Sequence, residues 1–173
     1  MRGLIALILA LILAPTLAAC GFQLRGSYSL PWETLHLGLA ENSEMYQQIR
    51  RSLEAGTHTR VVTDKQAAQA ALVVLNDTQA RNILSLSATG LVREFQLTRS
   101  FTYRIADAKG QELVPPATIV LQREMTFDDT RIFAKEAEEA MILREMQSDL
   151  VSQLLRRLAA AKPKPAATGN SGS

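Results

Sequence analysis

The chain of 173 residues holds one cysteine, Cys20, at the end of Leu17-Ala18-Ala19-Cys20. A lone thiol cannot close an internal disulfide, and in an exported chain it calls for another use. The other reactive side chains do not assemble into a catalytic pattern. No serine-histidine-acid set, phosphate loop or carboxylate pair stands out, which argues against an enzyme. His36 and His58 are isolated, with no second histidine or cysteine at ligand spacing, so no metal site is expected. The remaining groups of interest are cations: Arg99 and Arg123 on otherwise apolar strand faces, Arg93 beside a hairpin turn, and Lys135 at the start of a long helical pattern.

The segment that delivers Cys20 gives it a context. Arg2 precedes the apolar block LIALILALILA from Leu4 to Ala14, and Pro15, Thr16 and small residues follow it. That order matches the charged, apolar and small-residue regions of an export leader. The competing reading, an uncleaved anchor, needs about 20 apolar residues, and the run ending at Ala19 is shorter and interrupted. Leu17-Ala18-Ala19-Cys20 resembles a bacterial lipobox, which implies cleavage before Cys20, with a thioether-linked diacylglycerol and an amide-linked acyl chain on that residue. One acyl chain holds a protein to a membrane only marginally, whereas several give lasting attachment. The expected cofactor complement is therefore none, apart from this covalent lipid. Gly21, in place of an aspartate, resembles lipoproteins sorted to the outer membrane. Loss of the leader with Arg2 would lower the formal net charge of +2 by one. That balance gives no broad nucleic-acid footprint.

Past the tether, Leu35-His36-Leu37-Gly38-Leu39 alternates as a short strand does. Asn42-Ser43 offers an N-cap for a helix over Ser43–Ala55, carrying Tyr46, Ile49 and Leu53, with Gly56 as its stop. Val61-Val62 reads as a short extended piece, and DKQAAQAA as either a helical turn or the lead into a strand. A long stretch opens at Leu72 and reaches Ser87, its polar middle from Asn76 to Asn82 suggesting a bulge or a twist out of the sheet. Ala88-Thr89-Gly90 predicts a hairpin turn. From Phe95 to Ile105 apolar and polar positions alternate, and after Pro115-Pro116 the pattern returns over Ile119–Phe127, so both strands have one buried and one wet face. Ala134–Leu158 predicts the longest helix, with Leu143, Met146, Leu150, Leu154 and Leu158 on its stripe. Trp32 reads as a core residue at a strand entry, with a membrane-interface anchor as the alternative. The expected fold is α+β: a β-α-β-β-β-α sandwich with two helices packed on one face of a mostly antiparallel four-stranded sheet. The expected organisation is a leader at 1–19, a tether at 20–30, a folded domain at 31–160 and a disordered tail at 161–173, since the stretch AAAKPKPAATGNSGS from Ala159 lacks periodic apolar residues.

CGFQLRG (Cys20–Gly26), LVREFQL (Leu91–Leu97), REMTFDD (Arg123–Asp129) and FAKEAEEAMILREMQSDLVSQLLRRL (Phe133–Leu158) together resemble the LptE family of lipopolysaccharide-assembly lipoproteins. The resemblance covers nearly all of the chain after the leader except the tail, and the first and last stretches carry most of its specificity. It implies a two-helix, four-strand sandwich inside the lumen of an LptD-like outer-membrane β-barrel, acting as plug and assembly partner, binding lipopolysaccharide and catalysing nothing. The expected location is the outer membrane, anchored from the periplasmic side. For the phosphates of lipopolysaccharide the candidates are Lys135, which falls where family members carry a basic residue, and Arg93, Arg99 and Arg123. The family's basic residue at the hairpin tip is missing here, where Ala88-Thr89-Gly90 stands, so Arg93 enters as a substitute. For Arg99 and Arg123 the plainer alternative is pairing with an acid or snorkelling, and for Lys135 a solvated first-turn lysine. A free-standing periplasmic lipid carrier and a purely structural envelope lipoprotein are the competing functions.

Overall fold

A computed structural model describes residues 29–163; the leader, Cys20, the CGFQLRG stretch and the tail beyond residue 163 lie outside the described residues. The elements are β1 (Thr34–Gly38), α1 (Glu44–Gly56), β2 (Arg60–Val62), β3 (Ala70–Leu86), β4 (Val92–Ala106), β5 (Glu112–Thr126) and α2 (Ile132–Ala160), with 3-10 turns at Lys65–Ala67 and Asp129–Arg131. Among the described residues no helix is long and apolar enough to cross a membrane.

The α+β class matches expectation, but the sheet is a correction to it. It has five strands in the order β2-β1-β3-β4-β5, not four, and it is mixed: β1 runs parallel to both β2 and β3, while β3-β4 and β4-β5 are antiparallel. The added strand is the Val61-Val62 piece, whose three residues are too few to display a period. What makes it a strand is the α1 crossover, which returns the chain beside β1 in the same direction. His36 sits within 3.3 Å of the Val62 carbonyl across this pair, and the buried Thr59 hydroxyl donates to the Trp32 carbonyl at 2.7 Å. Trp32 is a core residue.

Helix α1 starts where Ser43 accepts a hydrogen bond from the Tyr46 amide at 3.2 Å and buries Met45, Tyr46, Ile49 and Leu53. Its stop is Thr57 rather than Gly56: the Thr57 amide and hydroxyl both donate to the Leu53 carbonyl, at 2.8 and 2.7 Å. In β4 the alternation holds as the sequence predicts, with Phe95, Leu97, Arg99, Phe101, Tyr103 and Ile105 all buried. Strand β5 begins at Glu112, earlier than expected, because Pro115 and Pro116 stay in the strand. They lie between Val114, opposite Ile105, and Ala117, opposite Tyr103, so two residues face one. A bulge on an edge strand is where prolines are tolerated. In β3 the polar middle does not leave the sheet. It pairs continuously from Asn76 opposite Thr102 to Ile83 opposite Phe95, with the register shifts flanking that run.

Both helices cover the face bearing Leu97, Phe101 and Ile119, where they complete the core with Ile49, Leu53, Met146, Leu150 and Leu154. Helix α2 is longer than predicted and buries only its second half: Met146, Leu150, Val151, Leu154, Leu155 and Leu158. Its first half overhangs the β3-β4 hairpin. The opposite sheet face has no helix on it. Its rows read Asn76-Thr102-Thr118, Thr78-Ser100-Val120 and Ala80-Thr98-Gln122, uncharged and polar apart from Ala80 and the exposed Val120, with the Thr102 and Thr118 hydroxyls 2.9 Å apart.

Candidate functional site

The hairpin of β3 and β4 turns at Ser87–Leu91. The Gly90 backbone adopts φ +82°, a left-handed conformation that costs glycine little and other residues more, and the Ser87 amide donates to the Leu91 carbonyl at 2.7 Å. Beside this turn the end of β5 and the start of α2 come together, joined to β4 where the Phe127 amide donates to the Arg93 carbonyl at 2.7 Å. Between the two lies an open groove of about 990 Å³. One wall carries Leu86, Leu91, Arg93 and Glu94, and the other carries Phe127, Asp128, Arg131 and Lys135.

The cations differ in how they are held. Lys135 Nζ donates to Thr126 Oγ1 at 3.0 Å and to the Glu138 carboxylate at 2.8 Å, which extends the side chain from α2 toward the strand end. It is thus not merely a solvated lysine. Arg93 and Arg131 form no ion pair among the described residues. Asp128 accepts from both the hydroxyl and the amide of Thr130, at 2.7 and 3.0 Å. These bonds, with help from the nearby charges of Arg131 and Lys135, hold its carboxyl below the usual range and keep it an anion beside the cations. Two apolar side chains of the groove lining, Leu86 and Leu91, are exposed; Ile132 and Phe133, next in the chain after Arg131, are exposed outside that lining, Phe133 at 88%. Cations beside exposed apolar groups can hold an amphipathic anion, by charge-assisted hydrogen bonds at one end and apolar contact at the other.

The structure brings two of the four predicted cations, Lys135 and Arg93, into this groove and keeps the other two out. Arg99 is 4% exposed and grips Asp77 with two bonds, Nε to Oδ1 at 3.1 Å and Nη2 to Oδ2 at 2.9 Å. It also donates to Gln147 of α2 and lies against Met45 of α1, so it ties both helices to the sheet. Its environment is that of the ion-paired alternative. Arg123 pairs with Asp149 and bridges the outer strand to α2. Sequence reading missed Arg131, Ile132 and Phe133, because it began the helix at Ala134. The available signal was the spacing of Arg131 and Lys135, four apart and bracketing two large apolar residues.

Residues 32–158 match the model of the LptE family, described as lipopolysaccharide-assembly. The chain belongs to the LptE family. Among its relatives, the LPS-assembly lipoprotein LptE of Yersinia enterocolitica is 28% identical over 167 residues, covering 91% of this chain and 77% of the relative. The solution structure of lipoprotein B from Nitrosomonas europaea superposes with a TM-score of 0.70 at 33% identity, over 81% of this chain and 91% of that one. The crystal structure of rare lipoprotein B from Shewanella oneidensis gives 0.63 at 25% identity, over 73% and 94%. An LptE-family chain is a lipopolysaccharide-assembly lipoprotein and not an enzyme, and it carries no cofactor.

Proposed function

We propose that the protein is an outer-membrane lipoprotein, tethered from the periplasmic side through lipid on Cys20, that plugs and helps assemble an LptD-like β-barrel and binds lipopolysaccharide for insertion into the outer leaflet. The observation that carries the lipopolysaccharide part is the convergence of Lys135 and Arg93 on opposite walls of one groove rimmed by exposed apolar residues. Phosphates on the glycolipid would meet these cations and Arg131, and acyl chains would meet Leu86 and Leu91. Glu94, Asp128 and Asp129 line the groove as well and would keep it from attracting every passing anion. The plug part is supported by the helix-free sheet face, since barrel interiors are polar and a hydroxyl- and amide-rich surface can face one without burying charge.

A carrier working without a barrel would need an enclosed apolar pocket, and this groove is open and lined by charge. The test is the double variant Lys135→Ala/Arg93→Ala. Each lost charge-assisted bond is worth roughly 1.5–3 kcal/mol, so affinity for lipopolysaccharide should fall by at least about tenfold while recovery of the barrel with the tethered protein from outer membranes is unchanged. Unaltered affinity would refute the groove. Loss of the barrel with affinity intact would reverse the two roles, and an absence of lipopolysaccharide binding in the parent chain would leave a structural envelope lipoprotein.

A further inference from the structure

The helix-free sheet face runs into the groove without a break. Ser85, Glu94 and Thr126 line the groove, and they are also the end row of that face: Ser85 and Thr126 both stand opposite Glu94. The Ser85 hydroxyl donates to the Glu94 carboxylate at 2.7 Å, and Lys135 Nζ reaches the Thr126 hydroxyl from the helix at 3.0 Å. Below that row come Asn82, Gln96 and Glu124, and then the hydroxyl and amide rows that end at Thr102 and Thr118. Directly opposed residues share a face, so these rows form one surface extending roughly 26 Å from the groove at about 3.3 Å per residue.

The chemistry of this surface is nearly uniform. Between the groove and Thr102 its one charge is Glu124. Among the described residues the only side-chain hydrogen bonds within these rows join Thr102 to Thr118 at 2.9 Å and Asn76 to Thr78 at 3.4 Å. Gln96, Thr98, Ser100 and Gln122 are left with free donors and acceptors. A hydroxyl both gives and accepts, and a primary amide does so from separate atoms, which matches a ligand built of hydroxyls. These rows hold no aromatic residue and no arginine, the anchors on which stable protein interfaces depend, and Glu124 disfavours a further phosphate.

We infer that this face is a saccharide track: the phosphates of lipopolysaccharide sit in the groove, and the neutral sugars beyond them lie along the sheet on Gln96, Thr98, Ser100 and Gln122. The inference rests on the lipopolysaccharide reading of the groove and adds where the sugar goes. It is compatible with a plug, because a face without anchors stands beside a polar barrel wall without adhering to it, and the hydrated space between them admits a polar chain. An open face encloses nothing, so it holds sugar loosely enough to let it move on.

Two ligands separate track from groove: lipopolysaccharide with a long neutral saccharide, and lipid A, which has the phosphates and acyl chains without that saccharide. The unaltered full chain in detergent should bind the long form at least about fivefold more tightly than lipid A. Thr98→Val/Ser100→Ala/Gln122→Ala should cut affinity for the long form at least about fivefold and leave lipid A binding unchanged, which also reports that the variant is folded. An unaltered chain that prefers neither form, or a variant that binds the long form as tightly as its parent, overturns the track with the groove intact. No binding of either form by the unaltered chain overturns groove and track together. In cells, p-benzoylphenylalanine in place of Gln122 should capture saccharide-bearing lipopolysaccharide on illumination. Capture of protein alone would mean that the barrel wall covers this face, and would overturn the track however the triple variant behaves.

Discussion

At the scale of residues, two ion-paired groups behave differently because water reaches them differently. Arg99 is buried against Asp77, Gln147 and Met45, whereas Asp77 keeps 30% of its side chain exposed. Removing the carboxylate strands a buried guanidinium, and removing the guanidinium leaves an aspartate that can still hydrate. Asp77→Ala should therefore cost at least about 2 kcal/mol and Arg99→Met less, measured by urea unfolding; the reverse order would contradict this account. Asp128 gives a pH prediction. Its folded pKa is depressed by hydrogen bonds from Thr130, so its contribution is present above the unfolded value of about 3.9 and lost as pH falls through the folded one. The Thr130 amide shift in NMR should titrate with an inflection below about 3.9; one at or above that value would remove the assigned cause. Lys135 and Arg93 were legible as candidates from residue type and resemblance. Pairing of Arg99 with an acid was legible as the plainer alternative, but its partner was not, because alternation marks which face a residue is on and cannot say that Asp77, 22 positions earlier, waits there.

At the scale of elements, the strands with clear alternation, the short strand at β1 and both helices were readable, whereas the pairing of β2 and of the polar middle of β3 was not. β2 had too few residues for a period, and the middle of β3 looked like a departure from the sheet although its backbone pairs throughout with β4. Polar side chains on a strand with a solvated face are compatible with full backbone pairing, so composition alone underestimates such a strand. The β1-β3 contact depends on a residue with no side chain. A Cβ built on Gly38 would stand 2.6 Å from the Leu72 carbonyl oxygen, and backbone has little room to yield. Gly38→Ala should destabilise the fold by roughly 1–3 kcal/mol, read from thermal or denaturant unfolding, with early loss of amide protection in Leu35–Gly38. Unchanged stability would mean that β1 shifts freely against β3.

At the scale of the whole molecule, attachment and folding are separable. The proposed tether is Cys20, while the core that closes the domain runs from Trp32 to Leu158. Cys20→Ala should abolish incorporation of radiolabelled palmitate into the protein and leave its unfolding midpoint unchanged; labelling that persists would mean that Cys20 does not carry the lipid. The sequence by itself determined the lone thiol, the two helices, the half-buried strands and the α+β class, because each is written in local spacing along the chain. Only the tertiary structure decided the fifth strand, the mixed sheet, the burial of Arg99, the meeting of Arg93 with Lys135, and the run of the polar sheet face into the groove. These depend on which segments lie side by side, a matter settled by crossover and packing between residues far apart in the chain, where no local period reaches.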